Sequence, residues 1–340
     1  MSVTRRDVAK YAGVSEQTVS YIINNSRKFS KDVEDNVRRA IRELNYEPDM
    51  MAKSMVTKRS KSVSIVVNDI ANPIFGEIVK GFEFAAGSEG YWVGVIDAVG
   101  NLEKLSSAIV SRRIEGVYIS LISAREMSGL VKQLLESGVK VVLGNDILKD
   151  QDRELANVLE VNLDEGIKQV LSYLKSLGHK DIVYLSGLSV KNEGDYRCKA
   201  FLKNYREEFG CEGTIIENEY PFETTVESGY AMQKKLLESK MQFSAVIATN
   251  DLMAYGCMQC LRENGIRVPQ DVSVVGIDDI FFSKHANPPL TSLGFDKFAY
   301  GKRLFEVLKE NIEKGSTEQK KELFACTLEI RGSTAQASGK

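Results

Sequence analysis

From Ser62 onward the chain alternates short runs of β-branched and aliphatic residues with stretches of helical periodicity, and no other feature restricts its fold as much. The runs SVSIVVN, YWVGVID, GVYISLI and VKVVLGN are separated by helical stretches over 73–88, 102–112 and 126–137. A second series follows: a helix over 164–177, DIVYLS, helices over 196–209 and 226–239, AVIAT, a helix over 252–264, and VSVVGID. Strands joined by helices of this length run parallel, because only a crossover returns the chain to the same end of a sheet. The helices then cover both faces, so the fold class is α/β, and the length of the alternation fits two parallel sheets. Such sheets bind ligands at the carboxyl ends of their strands. Here those ends carry polar tails: Asn68-Asp69, Asp97, Asn145-Asp146, Thr249-Asn250-Asp251 and Asp278-Asp279. Two sheets face to face would bring these tails to one cleft.

The stretch before Ser62 is written differently. Thr4 followed by Asp7 reads as a capping-box start, the first helix runs through Ala12, and Gly13 supplies the left-handed residue that ends it. Ser15 is the N-cap of a second helix to about Ile23, closed by Asn24 and Asn25, so a tight Gly-Val-Ser turn joins the two. Ser30 opens a third helix, on which Val33, Val37, Ile41 and Leu44 recur at helical spacing. Val8, Tyr11, Ala12, Val14, Val19, Ile22 and Ile23 are expected to share one small core. A bundle of about 45 residues is marginal alone and leans on a neighbour or on DNA. Pro48 breaks the pattern. Residues 49–61, DMMAKSMVTKRSK, combine a short helix capped by Asp49 with a basic tail, as a conditional linker does.

Charge and composition narrow the function. A net charge of −2 hides an asymmetry: up to Lys61 there are 13 Lys plus Arg against 8 Asp plus Glu, and in the remainder 32 against 39. A basic segment on an acidic body suits contact with a polyanion. At 340 residues the chain fits two or three domains. No apolar run approaches the roughly 20 residues that span a bilayer, and MSVTRRD lacks the apolar core of a signal peptide. The expectation is a cytoplasmic protein without a membrane partner. Five cysteines at irregular spacing argue against a disulfide framework, and Cys257-Met-Gln-Cys260 has no second pair, with only His179 and His285 as histidines. Packed, reduced thiols are expected, with no metal and no cofactor. No GxGxxG, Walker loop, GxSxG or HExxH occurs, so an α/β enzyme with a helical appendage is the alternative reading rather than the first. A free sugar-binding protein for transport would need the missing signal peptide.

TRRDVAKYAGVSEQTVSYIIN, ELNYEPDMMAKSM, NPIFGEIVKGFE, LGHKDIVYLSG, TNDLMAYG, VPQDVSVVGIDD and PPLTS follow one another in an order and spacing that resembles the lactose-repressor (LacI/GalR) family of bacterial transcription regulators, from Val3 to Thr334. The resemblance implies a helix-turn-helix DNA-binding headpiece over 1–48 and a hinge helix with linker over 49–61. It further implies a core similar to periplasmic sugar-binding proteins. Its N-subdomain is expected at 62–161 plus 291–325, its C-subdomain at 162–290, and a C-terminal tail at 326–340. The implied activity is that of a regulator, expected to be a repressor, binding a near-palindromic double-stranded operator as a homodimer. A small effector, a sugar or sugar derivative first and a nucleobase or nucleoside second, is expected between the subdomains. AQASGK has no leucine heptads, so no tetramerisation helix is expected.

In helix-turn-helix proteins the second helix enters the major groove and its early residues meet base edges. Here these are Glu16, Gln17 and, a turn on, Tyr21, where relatives often carry arginine. Gln17 suits bidentate pairing with adenine, and Thr18 or Ser20 suits phosphate or base. Thr4, Ser15, Asn24 and Asn25 are candidate phosphate binders or plain caps. Arg5, Arg6, Arg27, Lys28 and Lys31 are expected to add salt-sensitive affinity. Met55 matches the hinge position of a leucine that wedges between base pairs, and Ala52 is small where two hinge helices would pack. For the effector, Arg197 matches the arginine of the family's RxxGF motif, with Ala200 in place of its glycine. Asn250 and Asp278 match further polar contacts, and Phe75 the aromatic that packs on the ligand. Asn145 and Asp146 are candidates of which either faces the cleft, and Phe222 is a further aromatic candidate. Each of the polar residues also suits a structural bond at a strand end. His179 reads as structural.

Overall fold

The computed structural model describes residues 3–47, 54, 57, 59–98, 102–120, 129–144, 155–187, 196–217, 223–314 and 321–338. They fall into two compact units, Met1–Ser60 and Lys61–Lys340.

The first unit holds three helices, α1 (Arg5–Ala12), α2 (Glu16–Ile23) and α3 (Lys31–Glu43). Gly13 stops α1 at φ 69, a conformation that costs a side chain with a Cβ, and its N–H returns to Ala9 O. Two residues later Ser15 Oγ accepts from Thr18 N at 3.1 Å and starts α2. Val8, Ala9, Ala12, Val19, Ile22, Val37 and Ala40 make the core, with Val14, Ile23, Val33, Ile41 and Leu44 packed around it. Tyr11 does not join them. It is 56 % exposed, and its hydroxyl donates to Glu43 Oε2, because a phenol keeps its polar end in contact with water or a partner.

The second unit contains two six-stranded sheets. In the first, β1 (Ser62–Val67) lies between β2 (Trp92–Asp97) and β3 (Gly116–Ile119), followed by β4 (Lys140–Leu143), β5 (Asn157–Val161) and β11 (Lys321–Phe324). In the second, β6 (Ile182–Ser186) lies between β7 (Thr214–Glu217) and β8 (Ala245–Ala248), followed by β9 (Ser273–Ile277), β10 (Thr291–Gly294) and β12 (Thr327–Glu329). All neighbours are parallel except β10 and β12. The chain passes between the sheets three times: after β5, between β10 and β11, and between β11 and β12.

These crossings refine the boundaries drawn from sequence. Thr291–Gly294 stays with the second sheet, where it pairs with β9, so the return expected at 291 comes after Gly294. The described part of the tail expected at 326–340 is tied into the second sheet as well. Beyond β12, Val274 N donates to Ser333 O at 2.8 Å and Ala337 N to Leu177 O at 2.9 Å. His179 belongs to this seam, with Nδ1 at 2.9 Å from Ser244 Oγ and Nε2 at 3.0 Å from Ala335 O.

Seven described helices cover both faces of the sheets: α4 (Pro73–Ser88), α5 (Leu102–Ser111) and α6 (Leu130–Glu136) follow strands of the first sheet, and α7 (Leu163–Ser176), α8 (Tyr196–Phe209), α9 (Val226–Glu238) and α10 (Asp251–Glu263) belong with the second. The last helix, α11 (Lys297–Lys314), packs along α4. Two glycines set that distance: a Cβ at Gly81 would collide with Phe298 O, and one at Gly301 with Ile78 O. The same device recurs where a Cβ at Gly229 or Gly256 would strike the backbone of the other helix of the α9–α10 pair. Cys257 is buried and donates to Gln233 Oε1 at 3.2 Å, and Cys260 is buried beside it as a free thiol. Burial pushes both thiols up, which keeps them unreactive. Among the described residues no helix is long and apolar enough to cross a membrane.

Candidate functional site

Two groups of residues carry chemistry. The first is the outer face of α1 and α2. Thr4 N and Oγ1 both donate to Asp7 Oδ2, at 2.9 and 2.6 Å, and these bonds hold the Asp7 carboxyl below its ordinary range. Thr4 is therefore a cap in this structure, as is Ser15, whose Oγ also lies 2.9 Å from Thr18 Oγ1. Arg5 and Glu16 form an ion pair at 3.8 Å with both side chains about half exposed. Gln17 Nε2 donates to the Tyr21 hydroxyl at 2.9 Å. Asn24 Nδ2 donates to Ser20 O at 2.8 Å, and Asn25, at φ 48, accepts from Arg38 Nη2 at 3.3 Å. Val19 and Ile22 point into the core, which leaves Glu16, Gln17, Ser20, Tyr21 and Asn24 on the opposite, accessible side of α2. That is the surface a groove-reading helix needs: polar tips, little bulk, a helix N-terminus free of apolar cover. Ala52 and Met55 lie outside the described residues.

The second group sits where β8, β9 and β10 end. Arg197, in the first turn of α8, donates from Nη1 to Thr249 O at 2.7 Å and from Nη2 to Asp278 Oδ1 at 3.1 Å. Its side chain is 17 % exposed and that of Asp278 4 %, so the pair is shielded yet Arg197 still reaches the surface of the site. Burial raises the Asp278 carboxyl, and the charges of Arg197 and Lys297 oppose that rise. Asn250 is occupied at both ends: Nδ2 donates to Thr224 O, and Oδ1 accepts from Met253 N, each at 2.9 Å, so it caps α10. Phe75, on α4, is 3 % exposed and belongs to the main apolar core. Asn145, Asp146 and Phe222 lie outside the described residues.

Three further residues, none of them among the site candidates drawn from the sequence, hold this end of the sheet. Asp251 is buried and accepts from Ser292 Oγ and Ser283 Oγ, each at 2.5 Å, and from Ile280 N at 2.8 Å. Burial pushes its carboxyl up to about 7, with the neighbouring Asp278 adding to the rise. Lys297, at the start of α11, is buried and donates to Asp278 O at 3.0 Å, Asp279 O at 2.8 Å and Phe295 O at 3.3 Å. Arg331 pairs with Asp279 at 2.7 Å and donates to Leu290 O. Asp278 and Asp279 both have positive φ, 107 and 45, a costly conformation for two consecutive non-glycine residues. The ammonium of Lys297 and the guanidinium of Arg331 hold the loop in it. Asp251 and Asp279 were visible as polar strand tails; a lone lysine in FDKFAY carries no signal, because its partners are backbone carbonyls of a loop distant in sequence.

The charged groups are paired, each carboxylate already accepts from fixed donors, and among the described residues no cluster of His, Cys, Asp and Glu could hold a metal ion. What the strand ends offer to a small molecule is a fork of guanidinium donors beside a carboxylate.

Comparison with known proteins gives matches in both units. Residues 4–49 match the model for bacterial regulatory proteins of the lacI family, and residues 171–334 the model of a periplasmic binding protein-like domain. The HTH-type transcriptional repressor PurR of Pasteurella multocida (strain Pm70) is 31% identical over 323 residues, covering 93% of this chain and 94% of that protein. Its counterpart in Vibrio parahaemolyticus (serotype O3:K6, strain RIMD 2210633) is 30% identical over 334 residues, 96% of each chain. Among solved structures, the lac repressor dimer bound to operator and the anti-inducer ONPF superposes with a TM-score of 0.85 at 27% identity, over 98% of this chain and 100% of that one. The regulator CelR in complex with cellobiose gives 0.72 at 28%, over 97% and 99%.

Proposed function

This chain belongs to the lacI family of bacterial regulatory proteins and is a DNA-binding transcriptional regulator rather than an enzyme; from that premise we propose that it acts as a repressor, binding a near-palindromic operator as a homodimer in the cytoplasm. The observation that carries the reading is the pair α1–α2, a helix-turn-helix whose second helix keeps Glu16, Gln17, Ser20 and Tyr21 outside its core. Two copies of that helix, related by two-fold symmetry, read two half-sites. Residues 1–48 form the headpiece in this proposal and 49–61 the hinge, with Met55 as the wedge between base pairs and Ala52 at the packed face. The core divides into one subdomain around each sheet.

The effector is proposed to bind at the ends of β8 and β9. Arg197 and Asp278 offer donors and an acceptor to vicinal hydroxyls, which makes a sugar or sugar derivative the first ligand class and a nucleobase or nucleoside the second. The CelR complex, with its cellobiose, supports the first. Asn250, Phe75, Asn145, Asp146 and Phe222 are proposed to complete the site. Any effect on DNA binding must equal the ligand's different affinities for the two arrangements of the core. A thermal-shift screen of sugars, sugar phosphates and nucleosides tests the ligand, since one that binds only the native state raises the melting temperature. Turnover of a stabilising compound would overturn the reading. Met55→Asp should abolish operator binding while leaving the core folded, and tight operator binding by that variant removes Met55 from its role.

A further inference from the structure

Gln17 and Tyr21 stand four residues apart on α2, the spacing that sets two side chains above one another on one helix face. Gln17 Nε2 donates to the Tyr21 hydroxyl at 2.9 Å. That bond decides which hydrogen-bonding groups remain. A phenol has one proton, and having accepted from Gln17 it keeps that proton for a third group. Gln17 keeps its carbonyl oxygen and its second N–H. The pair therefore presents one strong acceptor and two donors as a single constellation.

The constellation is held from behind. The Tyr21 ring stacks on Phe29, with centroids 6.4 Å apart and planes 27° apart, and the Arg27 guanidinium carbon lies 5.7 Å from the Phe29 ring centre. Tyr21 is half-buried against this support, whereas Gln17 is exposed. Neighbouring polar groups are engaged elsewhere, Glu16 with Arg5 and the Asn24 amide with Ser20.

We propose that Gln17 and Tyr21 read neighbouring base pairs as one hydrogen-bonded unit, Gln17 taking an adenine while the Tyr21 hydroxyl donates to an acceptor on the next base pair. The inference rests on the DNA-binding role given above. Adenine shows N7 as acceptor and N6 as donor in the major groove, the complement of the groups Gln17 has left. The Tyr21 proton finds its partner in guanine O6 or N7, or thymine O4, and a cytosine amino group at that place sets donor against donor. Loss of the phenol oxygen then has two consequences. It removes the second contact, and it frees the Gln17 amide to rotate, so the first loses its fixed orientation.

The experiment is selection from random DNA duplexes at one salt concentration, using the full chain and its Y21F, Q17A and Q17A/Y21F variants. Y21F keeps the ring and its stack on Phe29, and Gln17 is exposed, so the headpiece core is untouched. The expected result is that Y21F loses roughly tenfold preference at both base pairs, and that the double variant loses no more than the larger single loss. Relaxation at the Tyr21 base pair alone, or single effects that multiply in the double variant, overturns the coupling. A uniform loss across all sequences with a reduced salt slope makes Tyr21 a phosphate contact and also overturns it. A wild-type chain that enriches no sequence overturns the DNA-binding role and this inference with it, an outcome distinct from selection that Y21F leaves unchanged.

Discussion

Arg197 Nη2 lies 3.1 Å from Asp278 Oδ1, so a guanidinium from the first turn of α8 neutralises a carboxylate held at the end of β9. Both partners are shielded, and the same guanidinium holds the Thr249 carbonyl through Nη1. The pair thus ties α8 to the ends of two adjacent strands of one sheet. Such a tie sets the shape of the proposed effector site.

Arg197→Ala leaves a buried carboxylate without its main partner. Removing one member of a buried pair costs about 3–5 kcal/mol, because the remaining charge has no water to replace it. Urea unfolding at pH 8 should show a loss of that order. At pH 5 the loss should be smaller, since burial already raises Asp278 and the variant raises it further toward protonation. Equal losses at both pH values would show that Asp278 does not feel Arg197.

Asp251 predicts a pH dependence of the sign opposite to that of an ordinary salt-bridged carboxylate. Its native carboxyl titrates at about 7, against 3.8 for the free group, so between those values the native state holds a proton that the unfolded chain has lost. Its contribution to stability therefore falls as pH rises from about 4 to about 7, by up to about 4 kcal/mol. Asp251→Asn removes that slope. It should be less stable than wild type at pH 4.5, because an NH2 replaces one of the two oxygens that accept from Ser292, Ser283 and Ile280, and the gap should narrow by pH 8. Parallel stability curves from urea titrations across this range would contradict the assignment.

Lys297→Met takes an ammonium away from three carbonyls, those of Asp278, Asp279 and Phe295. Buried carbonyls stripped of donors cost about 1–3 kcal/mol, and the positive φ values of Asp278 and Asp279 lose a restraint. The midpoint of chemical unfolding should drop accordingly, with faster amide hydrogen exchange confined to residues near 278–282. Exchange that accelerates evenly over both sheets would mean that Lys297 does not act on this loop.

Gly256→Ala places a methyl group against the Val226 carbonyl, and α9 must move away from α10 to admit it. Overpacking of this kind costs about 1–3 kcal/mol or more, since backbone cannot give way as a flexible side chain can. Thermal unfolding should fall by several degrees, whereas Gly87→Ala, at a helical site with open space around it, should not lower it. Equal behaviour of the two variants would refute the close approach.

Legibility in the sequence followed local chemistry. The headpiece helices could be read because each boundary is written in two or three residues, Gly13 for a stop and Ser15 for a start. The strands SVSIVV, IVYLS and SVVGI could be read because full burial on both faces demands unbroken apolar runs. Five strands escaped, β5, β7, β10, β11 and β12, the last three being runs of only three or four residues. In β5 the run NVLEV is broken by Asn157 and Glu160, whose polarity is tolerated because Asn157 Nδ2 donates to Asn311 Oδ1 at 2.6 Å and Glu160 faces Lys321 at 3.3 Å. In β7 the run is TIIE at a sheet edge, half-exposed and too short for a pattern.

What the sequence determined by itself is the class of each segment: parallel sheets with helical cover, a preceding helix-turn-helix, and polar residues waiting at strand ends. These follow from periodicity and capping, which act over a few residues. Tertiary structure alone decided which polar groups meet. Arg197 and Asp278 are 81 residues apart, Lys297 reaches back 19 and 18 residues to Asp278 and Asp279, and Ser333 joins Val274 across 59. The pairing of buried charges depends on where crossovers return the chain, and no local pattern encodes that. Tyr11 shows the same limit at small scale: its spacing suits the headpiece core, yet its hydroxyl finds Glu43, 32 residues away, and the ring stays outside.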